Sequence, residues 1–288
     1  MRQLFRWFRR KKARAPLRIL LDNGIFSHSE FAEYSIEHTS VRWGNTEHVL
    51  PVQGFIRKAP DSNLEERAQK EALFTIGRLI REGRMEAHRY IEIFFEGMRG
   101  RTALSIGNAL HGCNIRECPP ALERSKFRSS VDLWDTISKG GKKDRKAGVK
   151  LGATNQIAFL EWLCTLEEEH VEALRPHAAQ IGLTAFEIES LTDLKWFKFL
   201  CQRSGSRENY PDVFHLWTAE RNNLDGMLTL DRKLSNIVTS VRKERERRIE
   251  IKTQVLCPLE LLRKLGIDKP DPVPLEVGRF YQLHELTG

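Results

Sequence analysis

The 288-residue chain has no run of 18 apolar residues, which excludes a membrane-spanning helix. Cysteine is scarce. Its five copies, Cys113, Cys118, Cys164, Cys201 and Cys257, are odd in number and irregularly spaced. That pattern excludes a disulfide framework and fits free thiols in a reducing, cytoplasmic setting. His111, Cys113 and Cys118 supply three ligand types for zinc, but no fourth is evident. No internal repeat occurs, and no P-loop, Gly-x-Gly-x-x-Gly, His-Glu-x-x-His or Gly-x-Ser-x-Gly motif. One Glu-x-x-His (Glu167 to His170) lacks the second unit a di-iron bundle needs and reads as a solvated helix face.

Acid is missing from residues 1–18, which hold eight Lys and Arg, so this stretch carries a charge equal to the whole net charge of +8. The remaining 270 residues balance 39 bases against 39 acids. Net basicity is therefore no sign that the folded body binds nucleic acid, and that case rests on local clusters. Residues 1–16 read as a disordered basic tail adding nonspecific contact with nucleic acid or lipid. Leu4, Phe5, Trp7 and Phe8 also suit a short amphipathic helix on an anionic membrane, or an organellar presequence.

Beyond Pro16, the run Ile19-Leu20-Leu21 stops at Asp22-Asn23-Gly24, as a buried parallel strand with a turn at its carboxyl end would. Residues 41–58 read as an edge hairpin. Asp61-Ser62-Asn63 caps a helix that Gly83 stops. A strand at 84–88 leads into a helical stretch from Tyr90. Residues 97–150 read as an insertion or mobile arm, and Thr154-Asn155 opens a long helix through Leu174. Thr184 caps another helix, and Trp196 to Leu200 is a further apolar stretch. Then come a helix from Pro211-Asp212 to about Asn222, a strand at 224–228 closing in Thr229-Leu230-Asp231, a helix from Arg232, a strand at 253–256 and a helix from Pro258. Alternating strands and helices indicate an α/β fold with a mainly parallel sheet. Loops at the carboxyl ends of such strands carry the site, and both Asp22 and Asp231 fall there.

These residues resemble the PIN-domain nuclease family. The apolar strand ending in Asp22, the stretch Asp212-x6-Ala219, the segment Leu224 to Asp231 and the strand closing in Pro258 carry the likeness. It covers about 17–96 and 154–267, with insertions at about 33–60 and 97–150 and an extension at 268–288. The resemblance implies a three-layer α/β sandwich, with a mainly parallel central sheet and flanking helices. It also implies an acidic quartet of Asp22, Glu92, Asp212 and Asp231, with Thr229 as the accompanying hydroxyl. Glu92 fits the middle position best, with Glu96 one turn later as its rival.

Such a cluster recruits a hard cation, Mg²⁺ or Mn²⁺, because close carboxylates cannot all remain ionised unpaired. The expected activity is metal-dependent endoribonuclease cleavage of RNA phosphodiesters. The alternatives are an inactive PIN-like RNA-binding or assembly scaffold and a structure-specific DNA nuclease. Asp22 and Asp231 would be direct ligands and Asp212 a ligand or water holder. Glu92 would bind a second ion or orient water, and Thr229 would bond a ligand carboxylate or a phosphate oxygen. His215, one turn after Asp212, reads as packing or as support behind the ligands. Each Asp also suits an ordinary cap or turn. For substrate phosphates, Lys139, Lys142, Lys143, Arg145 and Lys146 form the better cluster and residues 242–252 the second.

Overall fold

The computed structural model describes residues 15–100, 107–127, 142–243, 251–282 and 285. The basic tail before residue 15, Lys139, and residues 244–250 of the second basic cluster lie outside the described residues.

The elements run β1 (Leu17–Leu21), α1 (Asn23–His28), β2 (Ala32–Trp43), β3 (Thr46–Arg57), α2 (Leu64–Arg81), β4 (Met85–Arg89), α3 (Ile91–Gly100) and β5 (Ile115–Glu117). They continue with α4 (Lys142–Thr165), α5 (Glu168–Leu174), α6 (Ala185–Thr192), α7 (Leu194–Arg203), α8 (Tyr210–Arg221), β6 (Gly226–Leu228), α9 (Arg232–Lys243), β7 (Gln254–Leu256), α10 (Pro258–Lys264) and β8 (Phe280–Gln282).

Five strands form one parallel sheet in the order β5-β4-β1-β6-β7. β1 is central, and Ile19, Leu20 and Leu21 are buried, as a strand covered on both faces requires. Helices flank the sheet: α2 packs on β4, α8 on β6 and α9 on β7. α8 is buried almost all round from Val213 to Ala219. Phe214 and Trp217 pack against Phe197, with Phe197 and Trp217 ring centres 5.0 Å apart. A fully surrounded helix fixes the direction of every side chain it carries, including Asp212 and His215.

Local signals behave as expected at several ends. The Asn63 side chain accepts from Glu65 N and Glu66 N at the start of α2, and Gly83 takes the left-handed backbone (φ 69°) just beyond its end. Thr184 and Glu187 form a capping box for α6. Elsewhere the structure departs from the sequence reading. α4 begins at Lys142 rather than at Thr154, because Gly148 and Gly152 blur a pattern otherwise rich in helix-forming Lys, Arg, Ala and Leu. Lys142, Lys143, Arg145 and Lys146 therefore lie on the first turns of a helix rather than in an arm. The helix expected to reach Leu174 breaks before Glu167, which caps α5 in a box with His170. That box accounts for the Glu-x-x-His motif.

The stretch read as an insertion also supplies sheet structure, since β5 pairs with β4 through Ala87, His88 and Arg89. The expected hairpin exists but is longer, twelve residues on each strand, with its turn at Gly44 (φ 63°). It joins β8 in a separate antiparallel sheet. Ala32, Phe55, Leu275 and Tyr281 form the small core at its base. A Cβ on Gly54 would collide with Phe280, so the close approach of β8 needs glycine there.

Candidate metal centre

Asp22 follows the last residue of β1, and its N–H donates to Leu228 O at 3.0 Å. That bond fixes it beside the carboxyl end of β6. Its backbone is extended (φ −68°, ψ 155°), and its side chain does not cap α1. Instead Asp22 Oδ2 accepts from Thr229 Oγ1 at 2.8 Å, while the same hydroxyl accepts from Asp231 N at 3.0 Å. Thr229 thus joins the β1 acid to the turn after β6.

Asp212 stands in the first turn of α8, and Asn209 occupies the cap position. Among the described residues the Asp212 carboxylate has no hydrogen-bond or ion-pair partner. His215 lies one turn on, with 1% exposure. Ligand-type atoms of Asp22, Asp212 and His215 all lie within 4.8 Å of one another. His215 Nδ1 shares a 2.6 Å hydrogen bond with Tyr90 Oη, and Nε2 lies 3.3 Å from Glu96. Gln156 Nε2 donates to Glu96 Oε1 at 2.8 Å. A chain of contacts therefore runs from α4 through Glu96 to His215 and on to Tyr90.

Glu92, the expected middle acid, is held elsewhere. It is 3% exposed and accepts from Arg124 Nε at 3.0 Å and Nη2 at 3.1 Å, a bidentate buried pair. Glu96 takes the place beside the cluster. Glu92 and Glu96 share a helix face one turn apart, and the position of Arg124 separates them. Asp231 is the acid that does cap: its Oδ1 accepts from Lys233 N at 2.7 Å at the start of α9. It still lies close enough to Asp212 to repel it, although it is not part of the convergent triad. Asp225 faces the opposite end of the sheet, where Oδ2 accepts from Arg18 N.

The electrostatics follow from burial of like charges. Burial pushes the Asp22 carboxyl up, against the pull of His215 and Thr229. Asp212 is raised to about 7, by burial and by Asp22, Asp231 and Glu96, with His215 opposing. Burial alone would depress His215, but Glu96, Asp22 and Asp212 outweigh it and hold the imidazole up at about 9. Three carboxylates thus face one imidazolium.

Two observations fit a cation at this place. Among the described residues the Asp212 carboxylate has no hydrogen-bond or ion-pair partner, and Asn23, which follows Asp22 in sequence, has a buried amide oxygen with no hydrogen-bond donor. Carboxylate and amide oxygens suit Mg²⁺ or Mn²⁺. Tyr90, Gln156, Asn23 and Arg124 were not singled out from sequence. Only the three-residue spacing of Asp212 and His215 announced that two polar groups share one face of α8. Comparison with family models, with curated proteins and with solved structures finds no match.

Proposed function

We propose that the chain is a metal-dependent nuclease with a PIN-like three-layer arrangement, hydrolysing phosphodiester bonds of RNA. The observation that carries this reading is the convergence of Asp22, Asp212 and His215 at the carboxyl ends of β1 and β6, around an Asp212 carboxylate without a partner among the described residues. Glu96 and Asp231 add negative charge at its border. Asp22 and Asp212 would hold Mg²⁺ or Mn²⁺, which would supply an activated water and charge stabilisation at the phosphate. Thr229 fixes the Asp22 carboxylate, and Glu96 with Tyr90 fixes the His215 ring. Choice of RNA over DNA follows from the family resemblance.

A specific observation favours a second reading. His215 places an internal cation among the acids, so the cluster is partly neutralised without any metal, as a non-catalytic scaffold would allow. Cleavage of single-stranded RNA and DNA with Mn²⁺, with EDTA, and by Asp22→Asn/Asp212→Asn separates the readings. The nuclease requires metal-dependent cutting that the double variant loses. Binding without cutting, together with equal Mn²⁺ uptake by wild type and variant, supports the scaffold.

A further inference from the structure

We propose that the cavity beside Asp231 is a subsite for one nucleotide unit of a single-stranded nucleic acid, held by Arg263, Asn236 and Ser235. The inference rests on the nuclease reading and names where its substrate lies. The cavity, about 280 Å³, opens at the carboxyl ends of β6 and β7, between α2, α9 and α10. It shares Thr229 and Asp231 with the acidic cluster. In a parallel sheet this is the edge along which ligands bind.

The acids that line it are already engaged within the protein. Glu65 pairs with Arg232, Glu260 accepts from Cys257 N, and Asp231 accepts from Lys233 N. What remains is a set of unused groups suited to a nucleotide. Arg263 is exposed, and its Nε bonds the Leu259 carbonyl, with no carboxylate partner among the described residues. The Ser235 hydroxyl and Asn236 amide make no hydrogen bond among the described residues. A guanidinium meets a phosphate, an amide offers donor and acceptor together to a base edge, and a hydroxyl serves either. Residues 232–243 hold four bases and no acid, and Lys233 is exposed without an ion pair among the described residues. A phosphodiester approaching several carboxylates needs such positive charge nearby.

The opposite flank is less suitable. A cavity of about 250 Å³ next to α1 is lined by Arg57, Lys58, Arg67 and Lys70. Three of these four cations are used internally: Arg57 and Arg67 pair with Glu71, and Lys70 with Asp61 at 2.8 Å, which leaves Lys58 alone without an ion pair among the described residues. The strand is therefore placed on the β7 side.

The test is fluorescence anisotropy with a labelled single-stranded RNA and a DNA of the same sequence, in Mn²⁺. The parent is Asp212→Asn, so that the probe stays intact, and Arg263→Ala, Asn236→Ala and both together are added. Both side chains lie at the surface of the cavity, and thermal unfolding checks that the variants fold. The expected result is a loss of about tenfold or more in affinity for the double addition, since a bond to a charged group accounts for that much. Arg263→Lys should recover part of it. The more tightly held probe identifies the sugar. Calorimetric Mn²⁺ affinity, measured with Asp212 intact, should stay at the wild-type value. Unchanged affinity for both probes overturns the subsite and leaves the nuclease reading standing. Absence of metal-dependent cutting of either probe by wild type overturns the nuclease reading and the subsite with it.

Discussion

The carboxyl ends of the parallel strands bury charge, whereas the β2–β3 hairpin exposes apolar surface. Asp22, Glu92 and His215 are 8%, 3% and 1% exposed, while Tyr34, Val49 and Trp43 are 56%, 61% and 81% exposed. Each region reverses the usual arrangement, and such reversals carry more information than ordinary burial. The difference lies in the support around them. At the strand ends Asp22, Glu92 and His215 are each tied by named bonds, and α8 is locked by the aromatic residues beneath it. The hairpin is secured at its base by four core residues and by three register pairs with β8. A two-stranded ribbon has no further layer to pack on.

The comparison sharpens within the body, where two acids one turn apart have different tasks. The largest effect should come from Asp212, the acid at the cluster without a partner among the described residues. On the nuclease reading, Asp212→Asn lowers cleavage on the order of a thousandfold, the loss expected when several kcal/mol of charge stabilisation disappears. Initial rates at saturating Mn²⁺ check it, and thermal unfolding should show the variant no less stable than wild type. Removal of a like charge from a repulsive cluster does not weaken the fold. A cleavage rate near wild type would show that Asp212 holds no metal.

Arg124→Ala should have the next largest effect, on stability. It strands the buried Glu92 carboxylate and should cost roughly 3–5 kcal/mol. Urea unfolding measures it. Glu96→Gln should cost less than this, because it weakens the contact that keeps His215 protonated without stranding a fully buried carboxylate, and it should alter Mn²⁺ binding. If Glu92→Gln instead abolished metal binding and Glu96→Gln did nothing, the sequence-based choice of Glu92 would be restored.

pH should separate the metal-free from the metal-bound protein. The folded-state pKa of His215 lies above its ordinary value, so the folded protein holds an extra proton between about 6.5 and 9. Its stabilising contribution is complete below pH 6.5 and is lost as pH rises through about 9. Asp212, raised to about 7, holds an extra proton between about 4 and 7, so its contribution also falls as pH rises through that lower window. In EDTA the melting temperature should therefore decline from pH 6.5 to 9, and Mn²⁺ should flatten the decline by taking the place of the protons. Parallel curves with and without Mn²⁺ would count against a metal at these residues.

The smallest effect belongs to the hairpin. Trp43→Ser removes a side chain with little packing and should change stability by no more than about 0.5 kcal/mol. Phe55→Ala, in the core at its base, should cost about 3 kcal/mol. Equal losses at the two positions would mean that the exposed half of the hairpin is packed in solution.

Much of the architecture was legible in local patterns. The apolar run ending at Asp22, the cap at Asn63, the box at Thr184 and the strand before Pro258 each depend on neighbours within a few residues. Places where the reading slipped depend on longer range. β5 is only three residues long and exists because β4 offers it an edge. α4 tolerates two glycines where propensity alone suggested a loop.

The site divides the same way. The sequence by itself determined that Asp22 and Asp231 would sit at carboxyl ends of strands, because strand ends are local events, and that Asp212 and His215 would share a helix face. Only the tertiary structure decided which acids meet. Arg124, thirty-two residues from Glu92, claims that carboxylate in a buried pair, and Gln156, sixty residues from Glu96, turns the other toward His215. A buried charge takes whichever counter-charge the fold brings within hydrogen-bond reach, and no local pattern specifies that partner.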